Sequence, residues 1–210
     1  MTRILRAVPG GRFSDSDLQI ALETLKKGGS VAFPTDTVYG LGVMPHAAEN
    51  IARLYEIKGR DPGKAIAILI AHPETVDEIA GPVRDFARTW MKVFWPGALT
   101  LVLPLKSGFP DMLSSNHTIG VRMPDHAAAL QLLLFSGPLA VTSANLSGSA
   151  SACTAEDVLE QLNGRIEVIM DDGIIPGGQS STIVDCTQET WIILREGPIT
   201  REQLLEALIT

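Results

Sequence analysis

The sequence predicts an α/β fold built on a mixed β-sheet, and three observations carry that expectation. Apolar runs of strand length recur at Val31–Phe33, at residues 65–70 and 99–105, and at Thr118–Arg122 and Leu139–Ser143. Most are separated by segments whose apolar residues recur at helical spacing, the alternation that builds parallel pairs. Strand-like runs then cluster near the end, at 168–170, 181–185 and 191–195, which adds antiparallel partners.

The elements follow in order. Ser14-Asp15-Ser16-Asp17 offers a hydroxyl cap and acids suited to a helix N-terminus. Leu18, Ala21, Leu22 and Leu25 then share a face, and Gly28-Gly29 stops the helix. The 31–33 strand ends at Pro34, which cannot donate to a ladder. Pro34-Thr35-Asp36-Thr37-Val38-Tyr39-Gly40-Leu41-Gly42 reads as a polar, glycine-bearing loop, the kind that α/β folds place at ligand sites. Residues 47–58 form a second helix, with Ile51, Leu54 and Tyr55 on one side. Residues 73–80 and 82–93 read as helices opened by proline. Trp95-Pro96-Gly97 breaks the chain before the 99–105 strand, and residues 106–117 form a loop. A helix at 127–135 precedes the 139–143 strand, and Thr154 caps another that runs to about residue 162. Thr200 and Gln203 form a capping box for the last helix. No repeat, low-complexity tract or linker interrupts residues 1–210, so a single domain is expected.

The 210 residues are 45% apolar and 20% charged, the composition of a globular chain. A net charge of −7 disfavours extensive nucleic-acid backbone binding and leaves room for a local basic pocket. Cys153 and Cys186 form no C-x-x-C pair, which points to neither disulfide framework nor zinc site. No run reaches the roughly 18 apolar residues of a membrane helix, and the start lacks a signal-peptide core, so a cytoplasmic location is expected.

Five polar clusters are candidates for chemistry, each with two readings. The 34–42 stretch offers hydroxyl and backbone donors to a ligand, or is a capped turn. Lys58-Gly59-Arg60 either holds a polyanion from two sides or is a solvated basic helix end. Arg122, ending a strand, either grips a ligand carboxylate with its fork or pairs with a structural acid. Thr142-Ser143-Ala144-Asn145 and the following Gly148 turn either converge donors at a strand end or cap a helix. Gly177-Gly178-Gln179-Ser180-Ser181-Thr182 is an anion nest or a plain connection, and Arg195 reaches a phosphate or pairs with Glu196. Other chemistries find no support. Gly59-x-x-x-Gly63-Lys64-Ala65 is one residue short of a P-loop and lacks its Ser/Thr. The histidines at 46, 72, 117 and 126 lack metal-ligand spacing, no G-x-S-x-G elbow occurs, and no carboxylate pair stands out. From the residues alone, the ligand is a small phosphorylated molecule that also bears a carboxylate.

Pro34-Thr35-Asp36-Thr37-Val38-Tyr39-Gly40-Leu41, Lys58-Gly59-Arg60, Trp95-Pro96-Gly97, Val121-Arg122-Met123-Pro124, Ser143-Ala144-Asn145 and Ser181-Thr182 follow the order and spacing of the YrdC/Sua5 family. The resemblance covers about residues 10–205 and matches the short form without an extra C-terminal domain. It implies a YrdC-like fold, a twisted mixed sheet with flanking helices around a deep basic cavity. It also implies a nucleotidyltransferase activity: L-threonine, bicarbonate and ATP give threonylcarbamoyl-AMP and pyrophosphate, for modification of adenosine 37 in tRNAs reading A-starting codons. Mg2+ would accompany ATP, with no tightly bound organic cofactor and no protein-held metal. Partners would be the tRNA-modifying threonylcarbamoyl-transfer proteins, with at most weak direct tRNA contact and no membrane. Carried over residue by residue, Lys58, Arg60, Asn145 and Arg195 would hold ATP, with Thr118 and Ser143 near the nucleotide. Thr35, Arg122, Thr142 and Ser181 would hold threonine, and Lys58 and Arg60 would be the catalytic pair. One departure stands out, because the family usually has Pro-Leu where this chain has Ala65-Ile66. The alternative is a paralogue of the same fold that binds nucleotide or RNA without this synthesis.

Overall fold

The computed structural model describes residues 1–8, 11–59, 66–114, 116–176 and 178–209. Among them, β1 (Arg3–Arg6), β2 (Val31–Phe33), β3 (Gly40–Val43), β4 (Ala67–Leu69), β5 (Leu99–Pro104), β6 (Thr118–Arg122), β7 (Leu139–Ser143), β8 (Val168–Asp171), β9 (Thr182–Asp185) and β10 (Ile192–Arg195) form one sheet. The strand order is β1-β8-β2-β3-β7-β4-β6-β5-β9-β10. Parallel pairs (β1 with β8, β8 with β2, β4 with β6, β5 with β9) mix with antiparallel ones, as expected. The helices are α1 (Asp15–Lys26), α2 (Ala48–Lys58), α3 (Val76–Ile79), α4 (Asp85–Phe94), α5 (Ala127–Ser136), α6 (Ala155–Leu162) and α7 (Arg201–Glu206).

Several helix ends follow from local chemistry. The hydroxyls of Ser14, Thr154 and Thr200 accept from the N–H three residues on, and the last two are complete capping boxes. Where the sequence reading missed, competing packing explains it. The 73–80 segment splits into a 3-10 turn (Pro73–Thr75) and the short α3. α4 begins at Asp85, three residues after Pro82. β1 was not expected, because it has a single fully buried residue, Leu5, and no apolar run. The largest correction concerns Gly40-Leu41-Gly42, read as loop, which forms β3 against β2 and β7. A Cβ on Gly40 would lie 2.9 Å from Val141 Cγ1, and one on Gly42 3.0 Å from Phe33 Cε1. These glycines serve close packing inside the sheet rather than loop freedom.

Strand alternation sorts the side chains into two layers. Ala32, Ile68, Ala140 and Ile169 face a large core shared with α2, α3, α4, α6 and α7. Their neighbours Val31, Phe33, Leu69, Leu139, Val141, Val168 and Met170 face the other way, under α1 and α5. That second cluster ends at Leu69 on β4, and among the described residues no helix covers the same face of β6, β5 and β9. A cavity opens on this face and extends back to β4, β7 and β3.

Trp90, fully buried on α4, ties the far side together. Its Nε1 donates to Leu204 O at 2.9 Å, and its ring meets Phe86 and Trp191 edge-on at 5.2 Å. Trp90→Ala is expected to lower the unfolding free energy by about 3–5 kcal/mol. The measurement is the urea midpoint, which should fall with an unchanged m-value.

Candidate functional site

The uncovered half-face holds a cavity of about 160 Å3, lined by Thr35, Thr37 and Val38, by β7 from Val141 to Ser143, and by Thr100, Arg122, Ser181 and Arg195 among others. Small residues, Gly40 and Ala67, are part of its lining. A cavity of about 150 Å3 takes up a benzene-sized molecule, so this one suits a ligand of amino-acid size.

Arg122 is the hub of the site, 6% exposed at the end of β6. Its Nε donates to Gly97 O at 2.9 Å, its Nη1 to Thr37 Oγ1 at 2.9 Å, and its Nη2 to Asp36 Oδ1. Both sequence readings therefore meet in one residue: a buried ion pair with Asp36, and a place on the cavity wall. Guanidinium has five N–H donors, and three are used, which leaves two with no acceptor among the described residues. Burial pushes the Arg122 pKa down, and the Asp36 carboxylate opposes that shift. Asp36 also accepts from Asp125 N at 3.1 Å, so one carboxylate joins the 34–39 loop, β6 and the approach to α5. Gly97 must be glycine here, since a Cβ would sit 2.5 Å from Phe94 O.

Arg195 reaches the cavity through a bulge. The ladder pairs Ile193 with Val184 but Arg195 with Ile183. An unbroken register would put Arg195 on the same side as Ile193, against the large core. The extra residue turns it to the cavity side instead, alongside Ile183. There its Nε and Nη2 donate to Ser181 O at 3.0 and 2.8 Å, and its Nη2 also to Ser181 Oγ at 3.1 Å.

The other end of the site gathers around the end of β7. Lys58, 2% exposed, directs its ammonium to the carbonyls of Ser143 and Asn145, with Asn145 Oδ1 at 3.5 Å. Its own carbonyl accepts from Ser147 N at 3.0 Å. The Asn145 amide donates to Leu146 O and Ser149 O. Lys58 thus shapes the 143–149 loop as well as placing a positive charge beside it. Sheet register relates the two ends. Ala67 pairs with both Gly120 and Val141, and two residues further come Thr118 on β6 and Ser143 on β7. Thr118 and Ser143 therefore share a row, roughly 13 Å along β6 from Arg122.

The expected residues thus divide cleanly. Thr35, Arg122, Thr142, Ser143, Ser181 and Arg195 line the cavity, and Lys58 and Asn145 adjoin it through Ser143. Thr118 is on the same sheet face but outside the cavity wall, held by Asn116 Oδ1 at 2.9 Å. Arg60, Lys64 and Ala65 lie outside the described residues, as does Gly177 of the expected nest. The sequence reading assigned no role to Asp36, Thr37 or Thr100. A carboxylate two residues after the strand-ending proline was visible, but its partner stands 86 residues away. Among the described residues, no three His, Cys, Asp or Glu side chains come together as a metal-ligating set.

His126 flanks the site, with Nε2 3.9 Å from Asp172 Oδ2 and a buried Nδ1 that lacks a partner among the described residues. Burial lowers its pKa, and Asp172, Asp36 and Asp125 oppose that shift. Below about pH 6.5 the unfolded chain takes up this proton before the folded one, so stability falls with pH. His126→Gln should flatten the stability-against-pH slope between about pH 6.5 and 5, measured by urea unfolding. Asp36→Ala leaves a buried unpaired guanidinium and should cost about 3–5 kcal/mol. Adding Arg122→Met should recover part of that loss in the double-mutant cycle.

The family model of Sua5, YciO and YrdC, described as telomere recombination, matches residues 23–197. The chain is 43% identical over 202 residues to a threonylcarbamoyl-AMP synthase of Bacillus subtilis, across 93% of this chain and 57% of that protein. It superposes on Pyrococcus abyssi Sua5 complexed with L-threonine at TM-score 0.92 and 36% identity, covering 99% of this chain and 61% of the other. On Escherichia coli YciO the TM-score is 0.85 at 26% identity, covering 94% and 97%. The chain thus spans 57% of the Bacillus subtilis relative's length but nearly all of YciO. With its family motifs folded around one cavity, the chain belongs to the Sua5/YciO/YrdC family.

Proposed function

We propose that this protein is a threonylcarbamoyl-AMP synthase, condensing L-threonine, bicarbonate and ATP with release of pyrophosphate. The observation that carries the proposal is the buried Arg122, which has two N–H donors without an acceptor among the described residues and shares a cavity of about 160 Å3 with Ser181 and Arg195. A planar fork of that kind matches a carboxylate. The relatives support it, one named as this synthase and one solved with L-threonine.

In this reading threonine's carboxylate meets Arg122, with Thr35, Thr142 and Ser181 around it. The nucleotide takes the row of Ser143 and Thr118, with Lys58, Arg60, Asn145 and Arg195 toward its phosphates. The Lys58 charge acts from within the 143–149 loop. The amine of threonine adds to bicarbonate, forming a carbamate and releasing water. A carbamate oxygen then forms a bond to the α-phosphorus, the bond to the bridging oxygen breaks, and pyrophosphate leaves. Mg2+ bound to ATP would supply charge neutralisation on the leaving pyrophosphate. The protein contributes positioning and charge neutralisation in a partly dry site. The product passes to threonylcarbamoyl-transfer proteins that modify tRNA. The cytoplasmic location expected from the sequence belongs to the same reading, and among the described residues no helix is long and apolar enough to cross a membrane.

Pyrophosphate release by the purified protein with ATP and Mg2+ tests this, with threonine and bicarbonate omitted in turn. Release that requires both is the expected outcome. Release that requires neither makes the protein a nucleotide hydrolase. No release despite ATP binding makes it a non-synthetic paralogue.

A further inference from the structure

Thr35 and Thr37 line the cavity with Arg122, and the Thr35 hydroxyl has no hydrogen to spare. Thr35 Oγ1 donates to Val38 O at 2.7 Å and accepts from the N–H groups of Thr37 and Val38. Thr37 Oγ1 accepts from Arg122 and lies 3.0 Å from Thr35 Oγ1, a contact in which either oxygen could donate. A hydroxyl has one hydrogen, and that of Thr35 is consumed by Val38 O.

The pair across the cavity differs. Thr100 Oγ1 and Ser181 Oγ are 2.8 Å apart, on residues 5% and 4% exposed. Two hydroxyls hold two hydrogens, and their mutual bond uses one. The other has no acceptor among the described residues, although both side chains line the cavity. Arg195 Nη2 donates to Ser181 Oγ at 3.1 Å, which makes the serine the more strongly polarised donor. Either oxygen could donate in the Thr100–Ser181 contact; donation from Arg195 favours the order Arg195 to Ser181 to Thr100, which leaves the Thr100 hydrogen for a ligand.

We propose that Thr100 is a substrate-binding residue whose hydroxyl donates to an anionic oxygen of the ligand, the carboxylate that Arg122 also meets. This rests on the synthase reading for the ligand's identity. Arg122 supplies two N–H donors and Thr100 an O–H, a donor-rich set that suits an anionic acceptor. Thr100 also packs against β6, since a Cβ on Gly120 would lie 3.0 Å from its Cγ2. The methyl packs while the hydroxyl binds, and the two roles are separable by substitution.

The experiment compares wild type, Thr100→Val and Thr100→Ser in direct calorimetric titration with L-threonine and in pyrophosphate release. Losing a hydrogen bond to a charged group should raise the threonine dissociation constant and KM of Thr100→Val by about tenfold or more. Thr100→Ser keeps the donor and should stay within about threefold of wild type, and kcat at saturating threonine should change less than KM. Thr100→Val with wild-type threonine affinity overturns the proposal. So does Thr100→Ser as impaired as Thr100→Val, because the methyl would then be the part that matters. A wild type that binds no threonine and releases no pyrophosphate sinks the synthase reading instead, a result distinct from either.

Discussion

The guanidinium of Arg122 lies almost wholly out of water, and the cost of keeping it there organises the loops around it. An unpaired buried cation costs several kcal/mol, so acceptors must converge on it. They come from three places: the Asp36 carboxylate, the Thr37 hydroxyl and the Gly97 carbonyl. Those contacts lock the 34–39 loop, the Trp95-Pro96-Gly97 turn and the end of β6 into one arrangement. A buried pair is weak evidence of net stabilisation. Its value here is that Arg122 is held rigid while two donors stay available to a ligand.

The cavity exists because half of one sheet face has small residues and no helix over it. α1 and α5 cover the face only as far as Leu69. Beyond that, Ala67, Gly120 and Thr100 leave room that a leucine would fill. Fully burying such a side chain would bring roughly 1.5–3 kcal/mol, stability that the open face forgoes. The compensation lies on the opposite face, where a continuous core joins β-strands to α2, α4, α6 and α7 around Trp90. Rigid support below and space above suit a site that acts by positioning.

The site has two ends joined by register rather than by sequence. Arg122, Ser181 and Arg195 mark one, and Ser143 with Lys58 and Asn145 marks the other. Lys58 illustrates how a charged residue can serve twice. Its ammonium is satisfied by loop carbonyls, which fixes the loop, and its charge remains at that end of the cavity.

The elements legible in the sequence are those that local chemistry decides. Hydroxyl caps at Ser14, Thr154 and Thr200 marked helix starts, and apolar runs marked β2, β6 and β7 to the residue. Ordered motifs named the family, and most of the expected site residues converge. The tertiary structure alone decided the rest. Gly40 and Gly42 belong to a strand because Val141 and Phe33 press against them, contacts no neighbouring residue announces. Asp36 is the partner of Arg122 across 86 positions. Arg195 faces the cavity because one extra residue in β10 reverses its side. Side chains alternate across a strand with a period of two, so their direction depends on the register of the assembled sheet. That register is set by which strands meet and where, a global outcome of packing that no local stretch contains.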